Sequence, residues 1–494
     1  MSIFIVVLIY EIVSIGGASL YIHHKNKQKA QHTIGGDSFV TADRSLGTVL
    51  LGVSIALGVL GAVHIFGIME VSWGLGAISI WFSISHVILL CVICLATGRW
   101  VRRLKVGTVP ELIRSIFGNR IALVTTCVLA GQTFAILTME VQALGIVFHT
   151  LTRGAVSIQV GAILGCIIGV AYVAFAGMKE IALVNLINTI VMYVGIILAT
   201  IFLSGVLPGG WYAVESHFAS HDMSYMTNIF GNGSIFMAFG LTTVIAVVFA
   251  QSISQMGLQT AMAAKNEKTI KRALWIAAPI NGIFGIFTMA MGLAARSLVE
   301  RGELQVPMEV APKVAGVEML MKYMPDWLVG WLLAAFLGAI VSTFALTTMG
   351  LGALFARNVY TLKNPNMTGK QETRIIRIII VLAGILACAV SSFMPAIING
   401  ANWVFAWLAP IFWAVIFGLF WKRSSTAAGV MLGTAWIAIM IWTYTPLPFA
   451  LGLQGIPVPY LSLGISLIVG IIVTAILPGQ TALFKSGVKV AEGR

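Results

Sequence analysis

Charge is scarce in this sequence. Of its 494 residues only 10% are Asp, Glu, Lys or Arg, and 59% are hydrophobic, with a mean hydropathy of +0.97. A typical soluble domain carries about 25% charged residues, so an ordinary soluble fold is excluded. The apolar runs are long enough to cross about 30 Å of hydrocarbon as helices. Weak polar–apolar alternation and few turn signals argue against a transmembrane β-barrel, and we predict an all-α polytopic membrane protein.

Cysteine is also rare, with five residues that all fall within apolar runs. Cys91 and Cys94 have the spacing of a redox or metal motif. Within an apolar helix they are small packing residues more often than ligands. We therefore predict no disulfide or zinc framework.

The basic residues that give the net charge of +13 occur in clusters between the apolar runs, at 25–29, 100–105, 265–272, 357–377 and 422–423. This alternation follows the positive-inside rule and predicts that these loops are cytoplasmic. The charge therefore reflects topology and not a nucleic-acid partner. We expect a protein of the cell membrane with its N-terminus outside and its C-terminus in the cytoplasm. Its expected partners are the lipid bilayer and a small-molecule solute, with no obligatory protein partner.

The hydropathy pattern predicts about 13 transmembrane helices in one transporter domain, residues 1–494. The first, at 2–22, lacks the basic start of a signal peptide and is predicted to remain as an extra N-terminal helix. The others are expected near 46–70, 74–98, 121–150, 155–177, 181–206, 233–258, 273–297, 327–355, 375–394, 401–421, 426–444 and 457–477. The ten spans from 46 to 421 divide into two five-helix halves, 46–206 and 233–421, and 426–477 adds two C-terminal helices. An odd number of spans per half forces opposite orientations, as in inverted-repeat transporters.

The second span, residues 51–67, has a glycine about once per turn or two, at Gly52, Gly58, Gly61 and Gly67. Such spacing is typical of close helix packing. The alternative is a helix unwound near 57–62, with freed carbonyls that line a cavity rather than face lipid.

Hydroxyl residues concentrate in the apolar segment 336–352, where no charge is present to pair with them. Ala339, Ser342 and Thr343 are spaced i, i+3 and i+4, so their oxygens share one helix face. A carbonyl and two hydroxyls form half a coordination shell for a hard monovalent cation. The alternative is bonding of the hydroxyls to their own helix carbonyls, which is the only interpretation that we give to Thr347 and Thr348.

Five segments in order give the chain a resemblance to a known family. They are SFVTADRSLG (38–47), GTVPELIRSIFG (107–118), AFAGMKEIALVNLIN (174–188), QSISQMGLQTAMAAKN (251–266) and GAIVSTFALTTMGLGALFARNVY (338–360). In this order and spacing they resemble the sodium/solute symporter family, which includes bacterial sodium/proline, sodium/sialic acid and sodium/galactose symporters. The resemblance covers roughly residues 37–425 and implies a LeuT-like inverted-repeat core.

The resemblance implies a sodium-coupled secondary symporter that imports a small organic solute by alternating access, without enzyme activity or an organic cofactor. It assigns the sodium ligands to the carbonyls of Leu57 and Leu60 in the first core helix. In the eighth core helix it assigns them to the carbonyl of Ala339 and the hydroxyls of Ser342 and Thr343.

The chain departs from the family pattern at positions linked to coupling and ion release. Asn185 stands where members usually have Asp, and Asn188 where they have Gln. Thr260 replaces a basic residue, and Asn358 replaces an Asp. The loss of the acid at 185 makes a second sodium doubtful and leaves the site without a carboxylate in reach. We therefore expect one Na⁺.

One acid, Glu140, lies well inside a core span, and charged groups there are usually functional. It would bind a solute amine, carry a proton, or pair with His64 or His86 within the bundle. His64 either lines the solute cavity or bonds a neighbour. The candidate solute-binding residues are Gly61, His64, Glu140, Gln142, Gln251 and Gln255, with Gln251, Gln255 and Gln259 expected on one helix face.

Other functional classes receive less support from the sequence. A channel should show a repeated filter loop, a sensor should carry an added signalling domain, and an enzyme needs a cluster of reactive side chains. The alternatives that stay open are a proton-coupled carrier of the same fold and a non-transporting sensor or channel. No Arg or Lys lies deep in the spans, so a solute carboxylate would have to be bound by helix termini and backbone amides. Glu140 would suit a cationic or zwitterionic solute, and we expect an amino acid or a similar small organic molecule.

Overall fold

The computed structural model describes residues 36–393 and 397–486, together with positions 7, 9, 10, 13, 14, 16–18 and 21. Most of the predicted extra helix at 2–22 lies outside these residues, so the count of thirteen spans stays a prediction. Within the described part, ten helices are long and apolar enough to cross a membrane, and Thr48–Val59 and Ile158–Ala174 are shorter apolar helices.

The first half of the bundle is a succession of helices with short connections. They are α1 (Gly36–Thr41), α2 (Thr48–Val59), α3 (Ile68–Leu75), α4 (Trp81–Val92), α5 (Gly98–Arg103), α6 (Val109–Phe117), α7 (Asn119–Leu151), α8 (Ile158–Phe175) and α9 (Met178–Val206). Turns of 3-10 helix cover Ala42–Arg44 and Gly76–Ile80, and π-helical turns cover Val63–Gly67 and Ile93–Thr97.

The second half follows the same plan and ends in a two-stranded ladder. Its helices are α10 (Gly210–Ser220), α11 (Gly233–Ile235), α12 (Thr242–Gln251), α13 (Gln255–Met262), α14 (Glu267–Glu300), α15 (Ala311–Tyr323), α16 (Asp326–Phe355), α17 (Thr361–Lys363), α18 (Gly369–Ser391), α19 (Ile397–Ala406), α20 (Ala409–Phe420), α21 (Ser425–Tyr444), α22 (Leu447–Ala450) and α23 (Val458–Ile476). Strands β1 (Lys422–Arg423) and β2 (Gln480–Thr481) pair antiparallel. Turns of 3-10 helix cover Ser224–Thr227 and Leu483–Lys485, and π-helical turns cover Phe236–Leu241 and Ala356–Tyr360.

Each predicted span from residue 46 onwards corresponds to helix in the structure, with ends that differ by no more than about two turns. The differences arise where a helix continues beyond its apolar part. Helix α14 begins at Glu267 because Asn266 caps it, with the Thr269 N–H donating to Asn266 Oδ1 at 2.9 Å. Hydropathy detects the apolar part of such a helix and not its charged first turn.

The segment 107–118, quoted above for the family resemblance, contains the short helix α6. Its N-cap is Thr108, whose hydroxyl accepts from the Glu111 N–H at 3.3 Å, and Pro110 lies in the first turn. The Glu111 carboxylate reaches the N–H of Gly107 at 2.7 Å rather than that of Thr108. Both groups thus hold free donors at the helix start.

Two long helices organise the bundle. Helix α16 packs against α7, α9 and α18, and 94% of its most apolar stretch is buried. Helix α14 packs against α2, α3 and α4. The hydroxyl segment of α16 is therefore surrounded by protein, and its polar groups have to find partners inside the bundle.

Hydrogen bonds connect three segments that adjoin the basic loops, at Leu46, Arg102 and residues 263–265. The Leu46 N–H donates to the Ala263 carbonyl at 3.1 Å, and the Lys265 N–H donates to the Leu46 carbonyl at 3.0 Å. The Arg102 guanidinium donates to the carbonyls of Ala264 and Lys265 at 2.7 and 2.9 Å. The start of the first core helix is thus bonded to the end of the sixth.

Candidate functional site

The first core helix is broken in the middle of the bundle. Helix α2 ends at Val59, and Leu60 has non-helical angles of φ −101° and ψ 83°. Helical bonding resumes when the His64 and Ile65 N–H groups donate to the Gly61 carbonyl. The break lies within the range 57–62 that was given as the alternative to close helix packing, and the residues around it are buried.

The eighth core helix contacts this break through one hydroxyl. Thr343 Oγ1 on α16 donates to the Leu57 carbonyl at 2.9 Å and lies 3.3 Å from the Ala339 carbonyl. Thr343 Oγ1 therefore contacts the carbonyl oxygens of two other predicted cation ligands, Leu57 and Ala339. Leu60 lies in the break itself, and its carbonyl has no hydrogen bond to a described residue that would fix its direction.

The second hydroxyl, that of Ser342, bonds to the fifth core helix. Ser342 Oγ donates to Asn185 Oδ1 at 2.5 Å, and the Asn185 side-chain N–H₂ has no described partner. Asn188 Nδ2 donates to the Gly338 carbonyl at 2.9 Å, and Tyr10 donates its hydroxyl to Asn188 Oδ1 at 2.6 Å. Both asparagines therefore lie against α16, next to the predicted ligands.

The donor set fits a monovalent cation of the sodium type. Carbonyl and hydroxyl oxygens are hard, neutral ligands. The Thr343 and Ser342 hydroxyls keep lone pairs for an ion while their protons go to neighbouring oxygens. Leu57, Ala339, Ser342 and Thr343 would hold the ion, with Leu60 completing the set. In contrast, Thr347 and Thr348 bond to carbonyls of their own helix, at 2.5 and 2.7 Å, as predicted.

The sequence reasoning did not find Asn281. This residue of α14 donates its side-chain N–H to the Ala56 carbonyl at 3.2 Å and is fully buried. Ala56 precedes Leu57, so Asn281 satisfies one of the carbonyls that the break frees. The sequence did contain a signal for it, since Asn281 is a polar amide in the apolar run that follows Pro279.

Glu140 on α7 lies at the other side of the break. The Ala62 N–H donates to its two carboxylate oxygens at 2.9 and 3.2 Å. A Cβ on Gly61 would lie 2.7 Å from Glu140 Oε2, so a larger residue at position 61 would have to displace this carboxylate. No described residue forms an ion pair or a side-chain hydrogen bond with Glu140, and the expected pairing with a histidine is not present.

The two histidines contact each other instead. The rings of His64 and His86 lie 4.3 Å apart between centroids, with Phe82 against both. His86 Nδ1 is 2.8 Å from the Phe82 carbonyl, and its Nε2 is 3.1 Å from Gln251 Nε2, so a neutral His86 with Nδ1 protonated satisfies both bonds. His64 is fully buried, and neither of its ring nitrogens makes a well-formed hydrogen bond to a described residue.

The sixth core helix is also broken, which separates the glutamines that were expected on one face. Helix α12 ends at Gln251 and α13 begins at Gln255, with Ser254 as its N-cap. Gln255 Oε1 accepts from the Val109 N–H at 2.9 Å and so holds the surface helix α6. Asn358 bonds to Thr108 in the same region, at 3.1 Å.

Gln142 has no described contact with the other candidates, and its Oε1 is buried without a partner. The structure also has a cavity of about 360 Å³ between α7 and α19 that the sequence did not indicate. Its lining consists of Cys127, Val128, Gly131, Gln132, Ala135, Trp403, Val404 and Trp407.

Comparison with solved structures defines the class of this bundle. It superposes on a Na⁺-coupled sialic acid symporter, in a substrate-bound outward-open state, with a TM-score of 0.79 and 16% identity over 97% of this chain and 98% of that one. MhsT in complex with L-phenylalanine gives 0.54 and 15% over 86% and 98%. At these identities the likeness shows the fold, which is the inverted-repeat LeuT fold of membrane transporters.

The family follows from the sequence. The model of the sodium:solute symporter family matches residues 39–436, and the chain belongs to that family. It is similar to the monocarboxylate transport permease protein of Rhizobium johnstonii, with 24% identity over 410 residues, 77% of this chain and 78% of the relative. It is also similar to the sodium/glucose cotransporter of Vibrio parahaemolyticus, with 20% identity over 467 residues, 89% and 83%. The chain is thus a multi-pass membrane protein of a transporter family that uses Na⁺.

Proposed function

We propose that this protein is a symporter that couples one Na⁺ to the import of a small organic solute by alternating access. The observation that carries the proposal is the hydrogen bond from Thr343 Oγ1 to the Leu57 carbonyl, with the Ala339 carbonyl beside it. A cation bound there would link a broken helix to an unbroken one. Its binding energy would therefore depend on how the two helices are placed, which is the requirement for coupling.

The proposed sodium ligands are Leu57, Leu60, Ala339, Ser342 and Thr343. Asn185 and Asn188 would act in coupling and release because they bond to α16 at and beside these residues. With asparagine and not aspartate at position 185, the fifth core helix offers no charge for a second ion. We therefore propose a stoichiometry of one.

The solute is proposed to be an amino acid or a similar small organic molecule. Gly61, His64 and Gln251 lie around the two helix breaks, where buried polar atoms without partners are concentrated. Glu140, Gln142 and Gln255 complete the proposed set of solute contacts, although Gln255 already bonds to α6. The names of the relatives add monocarboxylates and glucose to the solutes that have to be tested.

The proposal includes the membrane topology. We place the protein in the cell membrane, with the basic loops and the C-terminus in the cytoplasm and the N-terminus outside. The inverted repeats would comprise 46–206 and 233–421. The positive-inside pattern and the equivalent breaks in the first helix of each half support this arrangement.

The test begins with a thermal-stability screen of the purified protein against amino acids, monocarboxylates and hexoses, with NaCl or choline chloride. A solute of the carrier raises the melting temperature, and does so more strongly with sodium. Uptake of that solute into proteoliposomes should then require an inward sodium gradient. Uptake that is unchanged in choline and driven by a proton gradient would contradict sodium coupling.

The variant arm compares two pairs of hydroxyls on the same helix. Ser342→Ala/Thr343→Val should raise the sodium concentration for half-maximal uptake by about 10-fold or more, because two ligands are lost. Thr347→Val/Thr348→Val is the matched control, since these hydroxyls bond to their own helix. Equal sodium dependence in both pairs would show that Ser342 and Thr343 are structural.

A proton-coupled carrier is the second candidate. The observation in its favour is the buried carboxyl group of Glu140 beside the break, since an intramembrane acid is a common proton carrier. Uptake driven by a proton gradient without sodium would support this candidate.

A further inference from the structure

The proposed cation site has a charge-balance problem. All five proposed ligands are neutral, and Asn185, at the position of the usual acid, contributes an amide oxygen to Ser342. A monovalent ion transferred from water into a buried site retains its full charge. Such burial costs several kcal/mol unless an opposite charge lies close by.

Among the described residues one carboxylate lies at this place, and it comes from the third core helix. Glu140 is 1% exposed, and its oxygens accept from the Ala62 N–H directly after the break. The Leu60 carbonyl belongs to the peptide that precedes the Gly61 Cα, and Gly61 is in contact with the carboxylate. The carboxylate and the Leu60 oxygen are therefore within about 7 Å of each other.

Capping of the second half-helix accounts for only part of this geometry. Two carboxylate oxygens share a single N–H, although a carboxylate can accept about four hydrogen bonds. No described Lys or Arg pairs with Glu140, and the two nearby histidines bond or stack elsewhere. A buried carboxylate with one neutral donor is itself uncompensated. A cation at the break would compensate both charges.

We propose that Glu140 is the counter-charge of the coupling cation in this chain, supplied by the third core helix in place of the acid that position 185 lacks. Glu140 does not need to touch the ion. It stabilises the bound ion through space and positions the break through Ala62. The proposal rests on the proposed sodium site, because it concerns the charge that balances that site.

The arrangement also links position 61 to the position of the carboxylate. Any larger residue at 61 would push the carboxylate away from the break and lengthen its distance to the ion.

The test measures sodium binding without transport. The melting temperature of the purified, solute-free protein is followed against sodium concentration at fixed pH, with choline chloride keeping the ionic strength constant. Glu140→Gln preserves the shape and the acceptor for Ala62 but removes the charge. It should raise the sodium concentration for half-maximal stabilisation by roughly 10-fold or more, as expected for loss of an opposite charge close to the Leu60 carbonyl.

A charge-relocation variant makes the test specific. The double variant Glu140→Gln/Asn185→Asp removes the negative charge from the third core helix and adds one on the fifth, next to Ser342. The half-maximal sodium concentration should recover to within about threefold of the original. The matched control is Glu180→Gln, which also removes a carboxylate from a backbone N–H at a helix start, that of Gly177 at 3.0 Å. This control should leave sodium stabilisation unchanged.

The outcomes separate the two proposals. If Glu140→Gln binds sodium as the unmodified protein does, while Ser342→Ala/Thr343→Val binds it weakly, the counter-charge proposal is wrong and the site stands. If Glu140→Gln lowers only the affinity for the solute, Glu140 is a solute ligand and the counter-charge proposal is again wrong. If sodium chloride stabilises the unmodified protein no more than choline chloride does, the proposed sodium site itself is wrong.

Discussion

The two broken helices differ in how their free backbone groups are satisfied. At the break of the sixth core helix the partners are local: Ser254 Oγ donates to the Gln251 carbonyl and accepts from the Gly257 N–H, both at 3.0 Å. At the break of the first core helix the partners come from three other helices, through Asn281, Glu140 and Thr343.

This difference has a mechanical meaning. A break capped by its own chain keeps its geometry when neighbouring helices move. A break capped by distant helices changes its hydrogen bonding whenever those helices shift. The first break is therefore the one that can report the arrangement of the bundle to a bound ion or solute.

The largest expected effect is at Gly61. Gly61→Ala places a methyl group on the Glu140 carboxylate, so we expect a loss of about 1–3 kcal/mol in stability and loss of solute uptake. Gly131→Ala is the control, because nothing lies within 4 Å of a Cβ at that position of α7. Melting temperatures and uptake assays measure both. Equal effects of the two changes would mean that the close contact at Gly61 has no role.

A smaller effect is expected from Asn281. Asn281→Leu leaves the Ala56 carbonyl without its donor, which should cost about 1–2 kcal/mol. Because Ala56 is next to Leu57, the same change should also weaken the stabilisation by sodium. A variant that loses stability but keeps the original sodium dependence would separate Asn281 from the ion site.

The smallest effect should come from the sixth helix. Ser254→Ala removes an N-cap at a cost of about 1 kcal/mol. Sodium stabilisation should not change, because the cap is local. If instead Ser254→Ala shifted the sodium dependence more than Asn281→Leu does, the contrast between the two breaks would be incorrect.

The spans were predictable because long apolar runs report burial in hydrocarbon directly. The first break was predictable as one of two alternatives, since glycines at 58 and 61 weaken a helix there. The sixth break was not found. Its sequence signal is Ser254, the N-cap of α13. A single serine among polar and apolar residues is also compatible with a continuous helix that has glutamines on one face.

Contacts between distant segments could not be obtained from composition and spacing. The proximity of Leu57 and Thr343 was expected only from the family resemblance. Glu140 stood out as a buried acid, but its partner, a backbone N–H 78 residues away, carries no side-chain signature. Asn281 was overlooked for the same reason, because its acceptor is a carbonyl that exists only where another helix breaks. The positions of such partners depend on packing, which composition and spacing do not encode.

The bonds among Leu46, Arg102 and residues 263–265 have a further consequence for motion. Two main-chain hydrogen bonds join Leu46, where the chain enters the first broken helix, to the segment that leaves the sixth. Arg102 at the end of α5 donates two more hydrogen bonds to that same segment. A water-filled pathway can open between these two segments only after the hydrogen bonds at Leu46 have broken. Separation of these two segments therefore costs the two main-chain bonds at Leu46, whereas the bonds of Arg102 connect the sixth core helix to the second.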